Sequence, residues 1–230
     1  MKKLTKLLVV FTLIGMGFTA CKDTKGKENA EEANTEQTKK SKEVPETMVK
    51  ATVLNANLAS ENDLKDLGLS SEIVSQILEE RPFLAMTDFD ALLGSEIDKT
   101  ELYKKIFVPF NLNTTEEANF KMIPGVGDRM AHEFEEYRPY ISIQQFRKEI
   151  GKYVDEDEVA RYENYVFVPI ELNTASEEDI KALPGVGNRM AHEFEEYRPY
   201  TNMAQFRKEI SKYVDDKELA RLERFVYLKE

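Results

Sequence analysis

The chain has 230 residues, 41% of them hydrophobic and 33% charged, and its formal charge is −11. This composition supports packed cores in one or two domains, and the negative charge argues against bulk electrostatic attraction to DNA or anionic lipid. One cysteine excludes an internal disulfide, and one thiol with two histidines gives little basis for a metal site or a nucleophilic triad. We therefore expect no metal, no cofactor and no enzymatic activity.

Residues 1–20 have the pattern of a signal peptide. The basic MKKLTK precedes the apolar LLVVFTLIGMGF, which at about a dozen residues is too short to span a bilayer of ~30 Å. Thr19-Ala20-Cys21 then resembles a bacterial lipobox, which implies that Cys21 becomes the lipidated first residue of the mature chain. The alternative is an ordinary secretory signal with a chance cysteine.

Lipidation at Cys21 predicts a membrane anchor in the bacterial cell envelope. The next residue is Lys22, whereas an aspartate there would resemble an inner-membrane retention signal, so we expect the outer membrane. Residues 21–47 are polar, of mixed charge and almost free of large apolar side chains. They cannot bury enough surface to fold, and we expect them to form a disordered tether.

The remaining chain consists of three repeats, which decide the fold. The second repeat, residues 111–170, and the third repeat, residues 171–230, align without gaps and are identical at more than half of their positions. The first repeat, residues 48–110, contains a diverged copy in which Arg81-Pro82-Phe83 matches Arg138-Pro139-Tyr140. We expect three tandem modules with these bounds.

Each repeat is predicted to contain four short helices, and the third repeat serves as the template. Helix one follows Ser176, with Asp179 placed as in a capping box, and runs to about Leu183 before Pro184 stops it. Helix two starts near Asn188 and ends before Pro199. Its inward stripe is predicted to consist of Met190, Ala191, Phe194 and Tyr197.

Helix three is predicted at about 202–210, with Phe206 and Ile210 facing inward. Helix four begins at Asp215, and Glu218 again stands at the third helical position. Each repeat closes with an apolar stretch, IFVPF, YVFVPI or FVYL, which we predict to be an extended edge.

Pro-Gly-Val-Gly between helices one and two predicts a tight hairpin with an anion-binding corner. Glycine permits a positive φ and lets a ligand approach the bare backbone, while the valine points into the core. Because helix two starts directly after the turn, its unpaired N–H groups and positive dipole end face outward, where a phosphate suits them. We therefore predict an all-α chain of three tandem helix-hairpin-helix modules after a signal peptide and a disordered tether.

The stretch LNTASEEDIKALPGVGNRMA at 172–191 closely resembles the helix-hairpin-helix domain of the competence protein ComEA family. The resemblance covers nearly the whole chain after the tether. It implies sequence-independent binding to the phosphate backbone of double-stranded DNA, in DNA capture or uptake. Transferred residue by residue, it assigns this role to Gly185, Val186, Gly187, Asn188 and Arg189 with Lys181 in the third repeat, and to Gly125, Val126, Gly127 and Arg129 with Lys121 in the second.

This chain departs from the family pattern in three ways. A family domain usually carries two hairpin turns, and no second Gly-x-Gly occurs in these repeats. Asp128 replaces Asn188 at the mouth of the second repeat's turn, where a carboxylate can cap the same amides and repels phosphate. The first repeat is expected to have lost the turn glycine altogether. We therefore rank the third repeat first for anion binding and the second repeat next, and expect the first to be purely structural.

The alternative function is a protein-interaction scaffold in the envelope that binds no nucleic acid. Glu193, Glu195 and Glu196 could form an acidic face for a basic protein partner, although a solvated face paired with Arg198 or Arg207 is the simpler interpretation. His192 and Glu196 share a helix face, but a metal site needs more ligands, and the same holds for His132 and Glu136. Core or hairpin packing fits four tyrosines better than base stacking: Tyr137, Tyr140, Tyr197 and Tyr200.

Overall fold

The computed structural model describes residues 53–229. The predicted signal peptide, the Cys21 lipidation site, the tether and the first residues of the first repeat lie outside this range. Over the described range the chain is mostly helical, with twelve helices and six two-residue strands. None of these helices has the length and apolar character needed to cross a membrane.

The elements follow one another in three sets of four helices, each set between two strands. The first repeat contains β1 (Leu54–Asn55), α1 (Glu61–Asp66), α2 (Ser71–Glu80), α3 (Met86–Leu92), α4 (Lys99–Tyr103) and β2 (Ile106–Phe107). The second contains β3 (Phe110–Asn111), α5 (Glu117–Phe120), α6 (Asp128–Glu136), α7 (Ile143–Ile150), α8 (Glu156–Tyr162) and β4 (Val166–Phe167). The third contains β5 (Ile170–Glu171), α9 (Glu177–Lys181), α10 (Asn188–Glu196), α11 (Met203–Ile210), α12 (Asp216–Glu223) and β6 (Val226–Tyr227).

The strands join the two ends of each repeat. β1 pairs with β2, β3 with β4 and β5 with β6, and all three pairs are parallel. In the third repeat the register places Ile170 opposite Val226. The predicted extended edges therefore contain short strands. IFVPF and YVFVPI each hold the closing strand of one repeat and the first residue of the strand that opens the next, so the second and third repeats begin one residue earlier than predicted.

The predicted helix boundaries of the third repeat are confirmed to within two residues. The Ser176 hydroxyl accepts a hydrogen bond from the Asp179 amide, and the Asp215 carboxylate accepts one from the Glu218 amide. These side chains satisfy amides that a helix start leaves unpaired. Helix α9 ends at Lys181, two residues before the predicted end.

Aromatic rings from the predicted inward faces form the core. Phe194, Phe206 and Ile210 are fully buried, and the rings of Phe194 and Phe206 meet edge to face with centroids 5.2 Å apart. Met190 and Tyr197 are only partly buried at the edge of this cluster. Each fully buried ring of this size contributes roughly 2 kcal/mol to folding.

The repeated Arg-Pro-Tyr sequence belongs to an internal clamp. In the third repeat the Asn173 side chain donates to the Tyr200 carbonyl at 3.0 Å and accepts from the Tyr200 amide at 2.7 Å. Arg198 donates to the carbonyls of Leu172 and Ala175 at 2.6 and 2.9 Å. The same pair of hydrogen bonds from an asparagine side chain to the backbone recurs in the other repeats, between Asn57 and Phe83 and between Asn113 and Tyr140.

Hydrogen bonds also join different repeats. The Ile143 amide at the start of α7 donates to the Asp179 carboxylate of the third repeat at 2.9 Å. The third repeat also contacts the first, because Lys217 donates to the Glu79 carbonyl at 2.9 Å and Arg224 to the Phe83 carbonyl at 3.2 Å. The three repeats therefore pack together, with the third against both of the others.

Candidate nucleic-acid interface

The second and third repeats share one hairpin geometry between their first two helices. Gly125 and Gly185 have φ values of +83° and +73°, which side chains rarely adopt. The next residues, Val126 and Val186, are 7% and 5% exposed, as the sequence predicts for valines that hold the turn to the core. Each valine amide donates to a carbonyl three residues earlier at 3.0 Å, so these two amides are already used inside the turn.

The second glycine of each turn is the N-cap of the following helix. Gly127 and Gly187 have extended backbones and no side chain with which to cap α6 and α10. A Cβ atom on either glycine would have no neighbouring atom within 4 Å. The backbone at the start of both helices is therefore open on this side, which leaves room for a ligand to approach the first-turn amides.

The first repeat has the same turn but a different cap. Gly68 has φ +79°, so the expectation that the first repeat lacks the turn glycine is wrong. The residue that it lacks is the second glycine. Ser70 takes the N-cap position of α2, and its hydroxyl accepts from the Ile73 amide at 3.3 Å. This side chain occupies the place that stays open in the other two repeats.

The two candidate lysines are already engaged in ion pairs. Lys121 lies 2.9 Å from Asp128, and the hydrogen bond that the ammonium donates to this carboxylate raises the Lys121 pKa. Lys181 lies 2.6 Å from Glu177, and this hydrogen bond lowers the pKa of the Glu177 carboxyl. Both pairs are exposed and therefore weak, so a phosphate could compete for either lysine.

The candidate arginines rest on tyrosines from later in each repeat. Arg129 lies over the Tyr153 ring at 5.8 Å from its centroid, and Arg189 lies over Tyr213 at 5.9 Å. Such stacking steadies a guanidinium while leaving its edge accessible. Tyr153 and Tyr213 were not among the predicted residues because they follow α7 and α11, far from the hairpin in sequence.

Tyr213 is itself held by Tyr197, because their hydroxyls are 2.8 Å apart, and Tyr153 and Tyr137 form the same pair at 2.6 Å. Tyr140 and Tyr200 are 0% and 3% exposed. The prediction that these four tyrosines serve packing is confirmed.

An arginine that the sequence did not indicate as a site residue also lies next to each of these two turns. Arg221 is 1% exposed, donates to the Pro184 carbonyl at 2.5 Å and forms an ion pair with Glu218 at 2.6 Å. In the second repeat, Arg161 pairs with Glu158 at 2.7 Å and lies 3.4 Å from a Cβ built on Gly125. The spacing Glu-x-x-Arg in the fourth helix is the only sequence signal for this arrangement.

The third turn is partly covered by the first repeat. A Cβ atom on Gly185 would overlap the Leu58 side chain, whereas the nearest atom to the same position on Gly125 belongs to Arg161 of its own repeat. The repeat ranked first for anion binding therefore has the more crowded corner at its first glycine. Access remains at Gly187, where an added Cβ would meet no atom within 4 Å.

The predicted acidic face is smaller than the sequence suggested. Glu193 is 8% exposed and belongs to the interior, which corrects its placement on a surface. Glu195 pairs with Arg198 at 3.2 Å, as the simpler interpretation expects, but Arg207 pairs with Glu223 instead. Glu196 lies 3.6 Å from His192. Among residues 53–229 no cluster of three or more potential metal ligands occurs.

Comparison with known families supports the hairpin geometry. Residues 166–227 match the family model of the helix-hairpin-helix motif. The match begins at β4, the last strand of the second repeat, runs through the third repeat to β6, and confirms the predicted motif in the third repeat. No curated protein and no solved structure matches the chain. The helix-hairpin-helix is a general nucleic-acid-binding motif, so its presence is compatible with DNA binding.

Proposed function

We propose that the protein binds double-stranded DNA without sequence preference, through backbone amides at the starts of α6 and α10. The observation that carries this proposal is the glycine N-cap of these helices. A helix start without a side-chain cap presents N–H groups and the positive end of the helix dipole, which together suit a phosphate. Arg129 and Arg189 lie one residue beyond the first helical position, steadied by their tyrosines.

The acidity of the chain sets the strength of this interaction. A formal charge of −11 repels DNA at long range, so association must rely on short-range contacts with amides and a few cations. Binding that rests on few phosphate contacts is weak and fades as salt is added. The exposed Asp128 carboxylate opposes a phosphate at the second turn, while Leu58 crowds the third, so the two hairpins contribute by different routes.

We also propose a cellular role for this DNA binding. The protein is a non-enzymatic lipoprotein of the bacterial cell envelope, anchored by lipid on Cys21, and it acts in DNA capture or uptake, as the ComEA resemblance implies. The lipobox-like Thr19-Ala20-Cys21 and the polar tether support an anchored protein that extends its hairpins from the outer membrane. A mass measurement of the mature chain tests the anchor directly: a diacylglycerol or acyl mass on a chain starting at Cys21 is the expected result.

The DNA proposal is tested by closing the open N-caps with serine. Gly127→Ser and Gly187→Ser introduce the residue that caps the first repeat, at positions whose Cβ is unobstructed. The purified full-length double variant should fold normally and bind duplex DNA about tenfold or more weakly in a fluorescence anisotropy titration at low salt. Gly94→Ser is the matched control, because an added Cβ there also meets no atom within 4 Å and Gly94 lies between α3 and α4 rather than in a hairpin turn.

The titration also separates the alternative function. A protein-interaction scaffold is favoured by the negative charge and by the cover that Leu58 gives to Gly185. If the wild-type chain binds no duplex DNA even at low salt, or if the serine variants bind as well as the wild type, the DNA proposal fails. An envelope scaffold for a basic protein partner would then be the better explanation.

A further inference from the structure

Arg224 is a partly buried cation directly after the last residue of α12. Its guanidinium donates to the carbonyls of Phe83 and Pro109 at 3.2 and 3.3 Å, and it lies over the Phe167 ring at 5.5 Å. No carboxylate among the described residues forms an ion pair with it. Burial lowers the pKa of Arg224 to about 10, repulsion from Arg221 adds to this, and Asp88 opposes it.

This environment is costly for a positive charge. A partly buried cation without a carboxylate partner loses part of its hydration, and two neutral carbonyls replace only some of the lost interaction. A guanidinium has five N–H donors in a planar fork, which matches the two oxygens of a carboxylate or phosphate. An anion placed beside Arg224 would therefore offset the desolvation.

A cavity of suitable size adjoins Arg224. It has a volume of 520 Å³ and lies where the first and second repeats meet, with Arg224 contributed by the third. Thr114, Thr115 and Asn119 are among the residues that line it, and they carry hydroxyl and amide groups that can donate to an anion. The volume falls within the range of sites for small organic molecules, about 300–1,000 Å³.

The equivalent junction between the second and third repeats shows what this cavity lacks. There the Asp179 carboxylate accepts from the Ile143 amide at the start of α7. At the junction of the first and second repeats, Met86 takes the place of Ile143, and Asn119 takes the place of Asp179. A neutral amide thus stands where the repeat elsewhere provides a negative charge. The acidic residue that lines the cavity is Glu116, whose side chain is exposed.

We propose that Arg224 and this cavity bind a small organic anion that carries a carboxylate or a phosphate monoester. The guanidinium binds the anionic group, and the threonine hydroxyls and Asn119 amide complete its coordination. The site uses none of the hairpin residues, so it is independent of the proposed DNA binding.

The experiment is an NMR titration of the full-length ¹⁵N-labelled chain with two probes, acetate and methyl phosphate. Saturable shifts are expected for the Arg224 side chain and for the amides of Thr115 and Asn119, and the better-binding probe identifies the anionic group. Arg224→Gln should weaken the affinity at least tenfold. The control Lys208→Gln removes an exposed charge elsewhere on the third repeat and should leave the affinity unchanged.

A second variant keeps the test decisive if Arg224→Gln fails to fold. Asn119→Asp introduces the aspartate that the third repeat has at this position, Asp179. The new carboxylate should take the place of the bound anion beside Arg224, so probe affinity should fall about tenfold without loss of stability. Glu116→Gln should raise the affinity a few-fold, because it removes a repelling charge. The proposal is overturned if neither probe gives saturable shifts in the wild type, or if Asn119→Asp leaves probe binding unchanged.

Discussion

The first and third repeats build the same turn and then use it differently. Gly68 and Gly185 have φ values of +79° and +73°, so the backbone reverses direction in both repeats at an equivalent glycine in the left-handed region. Ser70 then caps α2 with its hydroxyl, whereas Gly187 leaves α10 without a side-chain cap. The shape of the hairpin and the accessibility of its amides are therefore set by different residues, two positions apart.

The largest expected effect comes from the turn glycine itself. Gly185→Ala should destabilise the protein by roughly 2–4 kcal/mol, because a left-handed alanine costs about 1–2 kcal/mol and overlap with Leu58 adds an overpacking penalty. Gly68→Ala should cost only about 1–2 kcal/mol, since a Cβ there meets no atom within 4 Å. Urea unfolding of both variants measures the difference. Equal losses would mean that Leu58 moves away without cost.

The Asn clamp should behave alike in all three repeats, in contrast to the turn. Asn57→Ala, Asn113→Ala and Asn173→Ala each remove a pair of hydrogen bonds of 2.7–3.0 Å to the backbone of Phe83, Tyr140 or Tyr200. We expect each to lower the free energy of unfolding by roughly 2 kcal/mol, because partly buried backbone groups lose their partners. Thermal unfolding checks this, and a much smaller loss in the first repeat would show that its divergence extends beyond the turn.

Exchanging the two N-caps should produce smaller and opposite effects. Ser70→Gly is expected to destabilise the protein by about 0.5–1 kcal/mol, since it removes a cap and adds backbone freedom. Gly187→Ser should stabilise it by a similar amount, ~0.5–1 kcal/mol, for the same reasons. Urea midpoints for the two variants provide the measurement. A loss of stability in Gly187→Ser would indicate that the open glycine is required by the fold rather than by a ligand.

The smallest predicted effect depends on pH and is confined to the first repeat. Burial would raise the pKa of the Asp90 carboxyl, but hydrogen bonds from Lys99 and Tyr103 outweigh it, so this pKa lies below its usual value of 3.8. The stabilisation is therefore present above about pH 4 and is lost as the pH falls through the folded-state pKa. The second repeat has Arg147 at the same position, paired with Glu163 at 2.7 Å.

Asp90→Asn should therefore reduce stability at pH 7 by less than about 1 kcal/mol, because the pair is partly exposed, and the loss should be smaller at pH 2, towards which the carboxyl becomes protonated. Urea midpoints at both pH values test this, with the exposed Asp66→Asn as control. A loss at pH 2 as large as that at pH 7 would contradict the ionic explanation.

Features that depend on neighbours in sequence were predictable. The caps at Ser176 and Asp215 follow from a residue and its third successor, and the buried faces of α10 and α11 follow from helical spacing. The strand pairs were partly predictable, since their apolar composition marks an extended segment but does not identify its partner.

Features that depend on distant residues were not predictable. Leu58 reaches Gly185 only because the third repeat packs against the first, and no local pattern records this. The turn at Gly68 was not predicted because the first repeat lacks the proline and the second glycine of the Pro-Gly-Val-Gly pattern. A single glycine with positive φ still forms the turn. Glu193 looked like a surface residue by composition, but it lies on the side of α10 that faces the interior.

The parallel strand pairs have a consequence for how this chain can change length. β2 ends at Phe107 and β3 begins at Phe110, so consecutive repeats are joined by only Val108 and Pro109. The first and last strands of each repeat pair with each other, so the two ends of a repeat lie side by side. An additional repeat inserted at such a junction would therefore begin and end at nearly the same point. Tandem gene duplication could thus add a complete repeat while the existing repeats keep their strand pairs.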